Sequence, residues 1–176
     1  MIETTWSYRG YLQAAIVLVL FTLALRRGGA PEKWGAGTLL TAILFARLHE
    51  LAVAGPSGTW TVSGFATDGL AYLAIDVVTF LALAVIGLKA NRIYPLWMAG
   101  VQLTALLTHI AERVTTIVSP LAYAILNLST FYLATGFLAA GLVAHIRRAK
   151  AWGQYPDWRR DLYPSQEPTL WRSRRG

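Results

Sequence analysis

Long apolar stretches, separated by short polar or basic segments, dominate the hydropathy pattern of this chain. An apolar run of about 18 or more residues is a candidate membrane span, because about 20 helical residues cross the hydrocarbon core. The pattern therefore predicts an all-α fold, a polytopic membrane bundle of five transmembrane helices. The predicted spans cover about residues 10–26, 34–54, 68–88, 94–118 and 121–146.

The residues after the fifth span have a different character. The last thirty residues contain three prolines, three tryptophans and eight basic against three acidic residues. We divide the chain into a bundle over residues 1–148 and a basic, Trp- and Pro-rich cytoplasmic tail over residues 149–176. Such a tail can rest its tryptophan and arginine side chains on anionic lipid headgroups. It can also dock a soluble partner through the same aromatic and arginine anchors.

The basic residues predict how the spans are oriented. They follow the first, third and fifth spans, whereas the loops after the second and fourth spans contain no Lys or Arg. By the positive-inside rule, the N-terminus is outside and the C-terminus is cytoplasmic. Arg26 and Arg27 follow the first apolar core, whereas a signal peptide has its basic residues before the core, so we expect a retained helix. The small size and Ala/Arg-rich composition favour a bacterial inner membrane.

Composition supports the membrane class and excludes several kinds of chemistry. The chain is 55% hydrophobic and 14% charged, with a mean hydropathy of +0.44, whereas soluble domains have about 25% charged residues. The absence of cysteine excludes disulfides, thiolate metal sites, iron–sulfur clusters and cysteine nucleophiles. The net charge of +7 is concentrated at span ends and in the tail. We therefore expect lipid contacts and no nucleic-acid partner.

Polar side chains interrupt four predicted spans at one common depth. His49 and His109 lie on parallel spans, about 20 Å from their cytoplasmic ends at 1.5 Å per residue. Asp76 and Asn127 lie on spans of the opposite direction, about 10 Å from the outer surface. Charge in hydrocarbon is costly, so these side chains should face the bundle interior. The sequence thus predicts a buried polar cluster near the periplasmic face, composed of His49, Glu50, Asp76, His109, Glu112, Arg113 and Asn127.

Helical spacing predicts contacts within this cluster. Arg47 and Glu50 stand three residues apart, close enough to pair on one face. His109, Glu112 and Arg113 share one face of the fourth span and can meet side chains of the second and third spans. Each such residue can serve as a hydrogen-bonding link between helices, or fix their register as part of an ion pair.

Three functions are compatible with this pattern, and the first is non-enzymatic. The sequence contains no nucleotide-binding loop and no catalytic serine motif. The polar cluster would then fix helix register, and the tail would dock a partner. This reading predicts an accessory or structural subunit of a membrane complex, assembled with another membrane protein or a second copy.

The second and third functions use the polar cluster chemically. His49 and His109, at equal depth on two helices, could be axial ligands of a b-type haem in an electron-transfer protein. Alternatively, the carboxyl and imidazole groups could form a proton or ion pathway.

A metal site is a variant of these readings. It would take nitrogen and oxygen ligands from His49, Asp76, His109 and Glu112. His145 lies about 20 Å or more from this layer, at the cytoplasmic end of the fifth span. We expect it to cap helix carbonyls there and to take no part in the same centre.

Overall fold

Five α-helices make up the described part of the chain. The computed structural model describes residues 2–54, 69–114, 120–153 and 156–159, with most of their side chains. Across these ranges there is no named strand, and an isolated bridge joins Ala90 to Trp158. The all-helical prediction is confirmed. The helices are α1 (Ile2–Arg27), α2 (Ala30–Ala54), α3 (Gly69–Lys89), α4 (Tyr94–Val114) and α5 (Pro120–Trp152).

The helix bounds differ from the predicted spans mainly at the two ends of the chain. Helix α1 begins at Ile2 rather than near residue 10, and α5 continues to Trp152, past both the predicted span end and the predicted tail boundary. Hydropathy marks only the apolar part of a helix, so polar turns at either end are missed. The predicted end of the fourth span at residue 118 lies outside the described residues.

Four of the helices are long and apolar enough to cross a membrane, which supports a membrane protein. The apolar segments are Gly10–Arg27, Ala30–Val53, Leu70–Lys89 and Leu128–Trp152. The described residues of α4 do not reach the same apolarity. This helix carries Gln102, His109, Glu112 and Arg113 within its 21 residues. Their presence lowers its hydropathy below that of its neighbours.

The helices form a closed ring. Each helix packs on the next in sequence, and α1 contacts α5 to complete the ring. The residues that connect α2 to α3 lie outside the described part of the chain. Helix α2 also touches α5 across the ring, whereas α3 packs on both α2 and α4. The outer surface is rich in exposed leucine, valine and isoleucine, as expected for helices that face lipid.

The apolar core lies toward one end of the ring. We call this end, formed by residues 26–33, 89–94, 145–153 and 156–159, the basic end, because most of its exposed charges are Lys and Arg. Tightly packed side chains from all five helices meet just below it; they include Val17, Ala36, Leu83, Met98 and Leu138. Helices in lipid associate through close packing rather than through the hydrophobic effect, so this region holds the bundle together.

Most hydroxyl groups inside the helices are satisfied locally. Thr79 donates to the carbonyl of Ile75 at 2.7 Å, and Thr135 donates to that of Phe131 at 2.8 Å. Such bonds to a carbonyl of the preceding turn need no water. These threonine hydroxyls are therefore compatible with burial in a membrane, and other polar side chains connect the helices.

Candidate functional site

A carboxylate–imidazole pair, with a buried imidazole and a partly buried carboxylate, joins α3 to α4. His109 Nε2 donates to Asp76 Oδ2 at 2.9 Å, and Gln102 Nε2 donates to Asp76 Oδ1 at 2.8 Å. His109 is 2% exposed and Gln102 is 9% exposed. Gln102 and His109 stand seven residues apart, which places both on the same face of α4. Both oxygens of the Asp76 carboxylate thus accept a hydrogen bond from one neighbouring helix.

A second polar group joins α2 to α3. Arg47 Nη1 donates to Glu50 Oε2 at 3.0 Å, an ion pair within α2. Tyr72 of α3 donates its hydroxyl to the other Glu50 oxygen, Oε1, at 3.1 Å. The ring of His49 meets the ring of Tyr72 edge-on, with centroids 5.7 Å apart. Glu50 is therefore satisfied on both oxygens by a cation and a phenol.

Helix α3 links these two groups. Tyr72 and Asp76 stand four residues apart, so they occupy neighbouring turns on one face of α3. We call the combined set the polar layer; it consists of Arg47, His49, Glu50, Tyr72, Asp76, Gln102 and His109. The structure thus brings together four of the predicted cluster residues on three helices. The side chains of Glu112, Arg113 and Asn127, also predicted for this cluster, lie outside the described residues.

The two histidines are not arranged as ligands on opposite faces of a haem. His49 is on α2 and His109 is on α4, with α3 packed between these helices. His109 Nε2, a ring nitrogen that could bind iron, donates to Asp76 instead. His49 packs on Tyr72. The described geometry therefore does not fit the predicted bis-histidine haem, and no step through haem follows from it.

The predicted metal set is likewise not assembled by the side chains described. Among them, no group of three or more His, Asp or Glu is arranged to hold a metal ion. Asp76 and His109 are in contact with each other, and His49 is in contact with Tyr72. The fourth predicted ligand, Glu112, has no described side chain, so the four-ligand set remains a prediction.

A second cluster of charges lies at the basic end. Arg92 is 7% exposed and Glu32 is fully buried, and the two form an ion pair through Nη1 and Oε2. Arg92 Nη2 also donates to Asp157 Oδ1 at 2.6 Å and lies 3.0 Å from His145 Nδ1. Arginine has no acceptor, so His145 Nδ1 must accept, and the imidazole carries its proton on Nε2. We call Glu32, Arg92, His145 and Asp157 the basic-end cluster.

The carboxylates of this cluster also stabilise the start of α2. Glu32 is the third residue of that helix and reaches back to accept from the backbone N–H of Gly29 at 3.1 Å, as in one half of a capping box. Asp157 Oδ2 accepts from the backbone N–H of Ala30 at 2.8 Å. The first N–H groups of a helix have no partner within it, and negative charge is favoured there. The cluster therefore caps α2 while it holds Arg92.

The segment after α5 folds back onto the bundle to complete this cluster. Asn91 N donates to the Asp157 carbonyl at 3.1 Å, and Arg159 N donates to the Lys89 carbonyl at 2.8 Å. We call residues 156–159 the strap. It crosses from the end of α5 to the α3–α4 loop and, through the Asp157 side chain, to the start of α2. Part of the predicted tail is thus built into the fold.

Sequence reasoning missed the basic-end cluster as well as Tyr72 and Gln102. The basic residues after the third span, which include Arg92, predict orientation only, and the predicted second span begins at residue 34, after Glu32. The capping position of Glu32 after Gly28 and Gly29 was a usable local signal. For Gln102, the signal was its seven-residue spacing from His109. His145 Nδ1 accepts from Arg92, a contact that the sequence does not predict, and capping of helix carbonyls by His145 stays a prediction.

Comparisons with known proteins add no family to this description. No family model matches the chain, and no curated protein or solved structure shows significant similarity to it. The functional conclusion therefore depends on the geometry of the polar layer, the basic-end cluster and the apolar surface.

Proposed function

We propose that this protein is an accessory subunit of a bacterial inner-membrane complex, with a structural role. In this proposal the chain crosses the membrane five times, with its N-terminus outside and its basic end in the cytoplasm. Helix α4, the fourth in sequence, is added to the four apolar helices as a span, because Gln102 and His109 face α3 and its exposed described side chains are mainly apolar. The positive-inside distribution of Lys and Arg supports this orientation.

The observation that carries the structural role is the double engagement of Asp76. One oxygen accepts from Gln102 and the other from His109, so the carboxylate is used to attach α3 to α4. Glu50 shows the same pattern toward Arg47 and Tyr72. Polar side chains that are paired in this way act as links between membrane helices. They support a bundle built for a fixed shape.

A size measurement in native membranes tests the accessory role. Mild solubilisation followed by native electrophoresis should show the chain in a discrete assembly with another membrane protein. Removal of residues 160–176 should release that partner, while the melting temperature of the chain stays unchanged. The truncation must follow Arg159, because a shorter chain would lose the strap. Loss of the partner could then result from unfolding of the bundle rather than from removal of a docking segment. A chain that always migrates alone as a monomer would overturn the proposal.

Orientation has its own test, since the chain contains no cysteine. Single variants Ser57→Cys and Ser173→Cys can be labelled with a maleimide that does not cross membranes. In intact spheroplasts, we expect labelling at position 57 and none at position 173. Permeabilised cells should label both, which serves as the control for reactivity. The reverse pattern would refute the proposed topology.

A proton pathway is the second candidate, and one observation favours it. A carboxyl and an imidazole group are in contact at 2.9 Å in the Asp76–His109 pair, and the Asp76 side chain is 20% exposed although that of His109 is only 2% exposed. Tyr72 lies one turn away along α3, and its hydroxyl donates to Glu50 of α2. Proton flux into liposomes should then depend on Asp76 and fall to background in Asp76→Asn. Equal flux in wild type and variant would exclude this candidate.

The haem alternative has a simple spectroscopic test. Because the described histidines are engaged by Asp76 and Tyr72, we expect purified protein to show no Soret band. A Soret band that disappears in both His49→Ala and His109→Ala would establish axial ligation and contradict the proposed structural role of this layer.

A further inference from the structure

An open apolar groove runs between α2 and α3 on the outer surface of the ring. Its deeper part has a volume of about 490 Å³ and is lined by small side chains such as Gly37, Ala42 and Ala74. A second part of about 770 Å³ continues it toward the basic end and shares Trp34, Thr38, Val78 and Ala82 with the first. The small residues of both helices leave this space, since larger side chains would fill it.

The length of the groove matches one leaflet of a bilayer. Ala74 lies at its deep end and Lys89 at its basic end, which corresponds to about 22 Å along α3 at 1.5 Å per residue. One leaflet, with its headgroups, is about 20–22 Å thick. A transmembrane helix of a partner would require an apolar surface across both leaflets, about 30 Å of hydrocarbon. The groove ends at the level of the polar layer, where Ala74 stands between Tyr72 and Asp76 on α3. Its extent therefore suits a lipid chain better than a helix.

The basic end of the groove has the chemistry of a headgroup site. Lys89 lines it together with Trp34 and Trp158, and tryptophans of this kind sit at the level of the headgroups. None of the described side chains that line either part of the groove is acidic. The nearby carboxylates, Glu32 and Asp157, are already paired with Arg92. The charge at this end therefore complements an anionic headgroup.

We propose that this groove binds an anionic glycerophospholipid, with one acyl chain between α2 and α3 and the phosphate at the Lys89 ammonium group. The strap forms part of the headgroup end, because Trp158 lies on it. Bound lipid would thus contact α2, α3 and the segment after α5 at once. This inference goes beyond the accessory role and does not depend on it.

Native mass spectrometry of the full chain in detergent tests the proposal. The probes are phosphatidylglycerol and phosphatidylcholine with identical acyl chains, added at equal concentration. We expect the wild type to retain phosphatidylglycerol at least fivefold better than phosphatidylcholine. Lys89→Gln should reduce this preference to less than twofold, because the headgroup loses its cation. The matched control Lys150→Gln, which changes an exposed lysine outside the groove, should keep the wild-type preference.

Filling the groove tests the acyl-chain site separately. Ala82→Phe should lower retention of both lipids at least fivefold, whereas Ala15→Phe, at an exposed position of α1, should leave retention unchanged. If Ala82→Phe fails to fold, Ala74→Phe tests the same groove at an exposed position of α3. In addition, phosphatidylglycerol with brominated chains should quench wild-type fluorescence more than that of Trp34→Phe. Equal retention of the two lipids by wild type, or unchanged retention in a folded groove-filling variant, would overturn the proposal.

Discussion

Arg92 and Asp157 stand 65 positions apart in the chain, and their side chains form a 2.6 Å ion pair at the basic end of the bundle. Arg92 also pairs with the fully buried Glu32 on α2. One guanidinium group thus connects the α3–α4 loop, the start of α2 and the segment after α5. The planar fork of arginine can donate to several acceptors at once, which lysine cannot do with the same geometry.

Replacement of Arg92 should be the most damaging single change in the described structure. Arg92→Gln leaves the Glu32 carboxylate buried without its cation, and breaking a buried pair in this way costs about 3–5 kcal/mol. Thermal unfolding in detergent, followed by circular dichroism, should show a large decrease in melting temperature. Arg148→Gln removes an exposed arginine from α5 and should change stability by less than about 0.5 kcal/mol.

A double-mutant cycle separates the ion pair from other effects at Arg92. Glu32→Gln combined with Arg92→Gln should cost much less than the sum of the two single changes, because neither charge is then left alone. Additive losses of unfolding free energy would show that the two side chains act independently, contrary to the contact described.

Gly29 should be required for the strap to dock. A Cβ atom at this position would overlap Asp157 Oδ1 and lie 2.9 Å from Arg92 Nη2. Gly29→Ala should therefore displace the strap at a cost of about 1–3 kcal/mol. Limited trypsin digestion should cut at Arg159 faster than in wild type. Gly100→Ala is the control, since a Cβ there meets nothing within 4 Å; unchanged cleavage in Gly29→Ala would contradict the docking contact.

Two glycines of α5 should respond to alanine with opposite signs. A Cβ at Gly141 would lie 2.5–2.7 Å from three atoms of the Tyr94 ring, whereas a Cβ at Gly136 meets nothing within 4 Å. Gly141→Ala should separate α4 from α5 and destabilise by about 1–3 kcal/mol. Gly136→Ala should stabilise by about 0.5–1 kcal/mol, because alanine favours the helix. The free energy of unfolding, measured for both variants in the same detergent, tests this prediction. Equal changes in the two variants would refute the close approach of α4 at Gly141.

Substitutions at Asp76 should distinguish loss of charge from loss of a hydrogen-bond acceptor. Asp76→Ala leaves His109 and Gln102 without their acceptor, at a cost of about 1–3 kcal/mol. Asp76→Asn keeps one carbonyl oxygen and should cost less than Asp76→Ala. Unfolding free energies in the same detergent provide the comparison. An Asn variant that loses as much unfolding free energy as the Ala variant would show that the charge, rather than the hydrogen bonds, holds α3 to α4.

The parts of this structure that sequence could predict follow from helical periodicity and depth. The spacing of Arg47 and Glu50 placed them on one face, and they pair at 3.0 Å. Depth counting placed Asp76 and His109 at one level, and they are in contact. Tyr72 and Gln102, which complete these contacts, were missed. A single neutral polar residue changes the mean hydropathy of an apolar span very little, so hydropathy does not mark it as a contact residue.

The basic-end cluster could not be predicted in the same way. Glu32 and Arg92 stand 60 positions apart. Helical periodicity predicts contacts only within one helix, and membrane depth does not show which residues at the helix ends meet. Lys and Arg at such positions are ordinarily interpreted as orientation signals. Arg92 is buried where the strap packs against it. The strap can pack there because Gly29 has no side chain to collide with Asp157, and because Asp157 pairs with Arg92. Such contacts are set by tertiary packing and leave no local pattern.

The strap also has a consequence for how the protein is made. Asp157 follows the five described helices, so the ribosome must finish all of these helices before the start of α2 receives the Asp157 carboxylate as a hydrogen-bond acceptor. A translation product that stops at the end of α5 would contain the five described helices and still lack this closure. Purification tags therefore belong after residue 159.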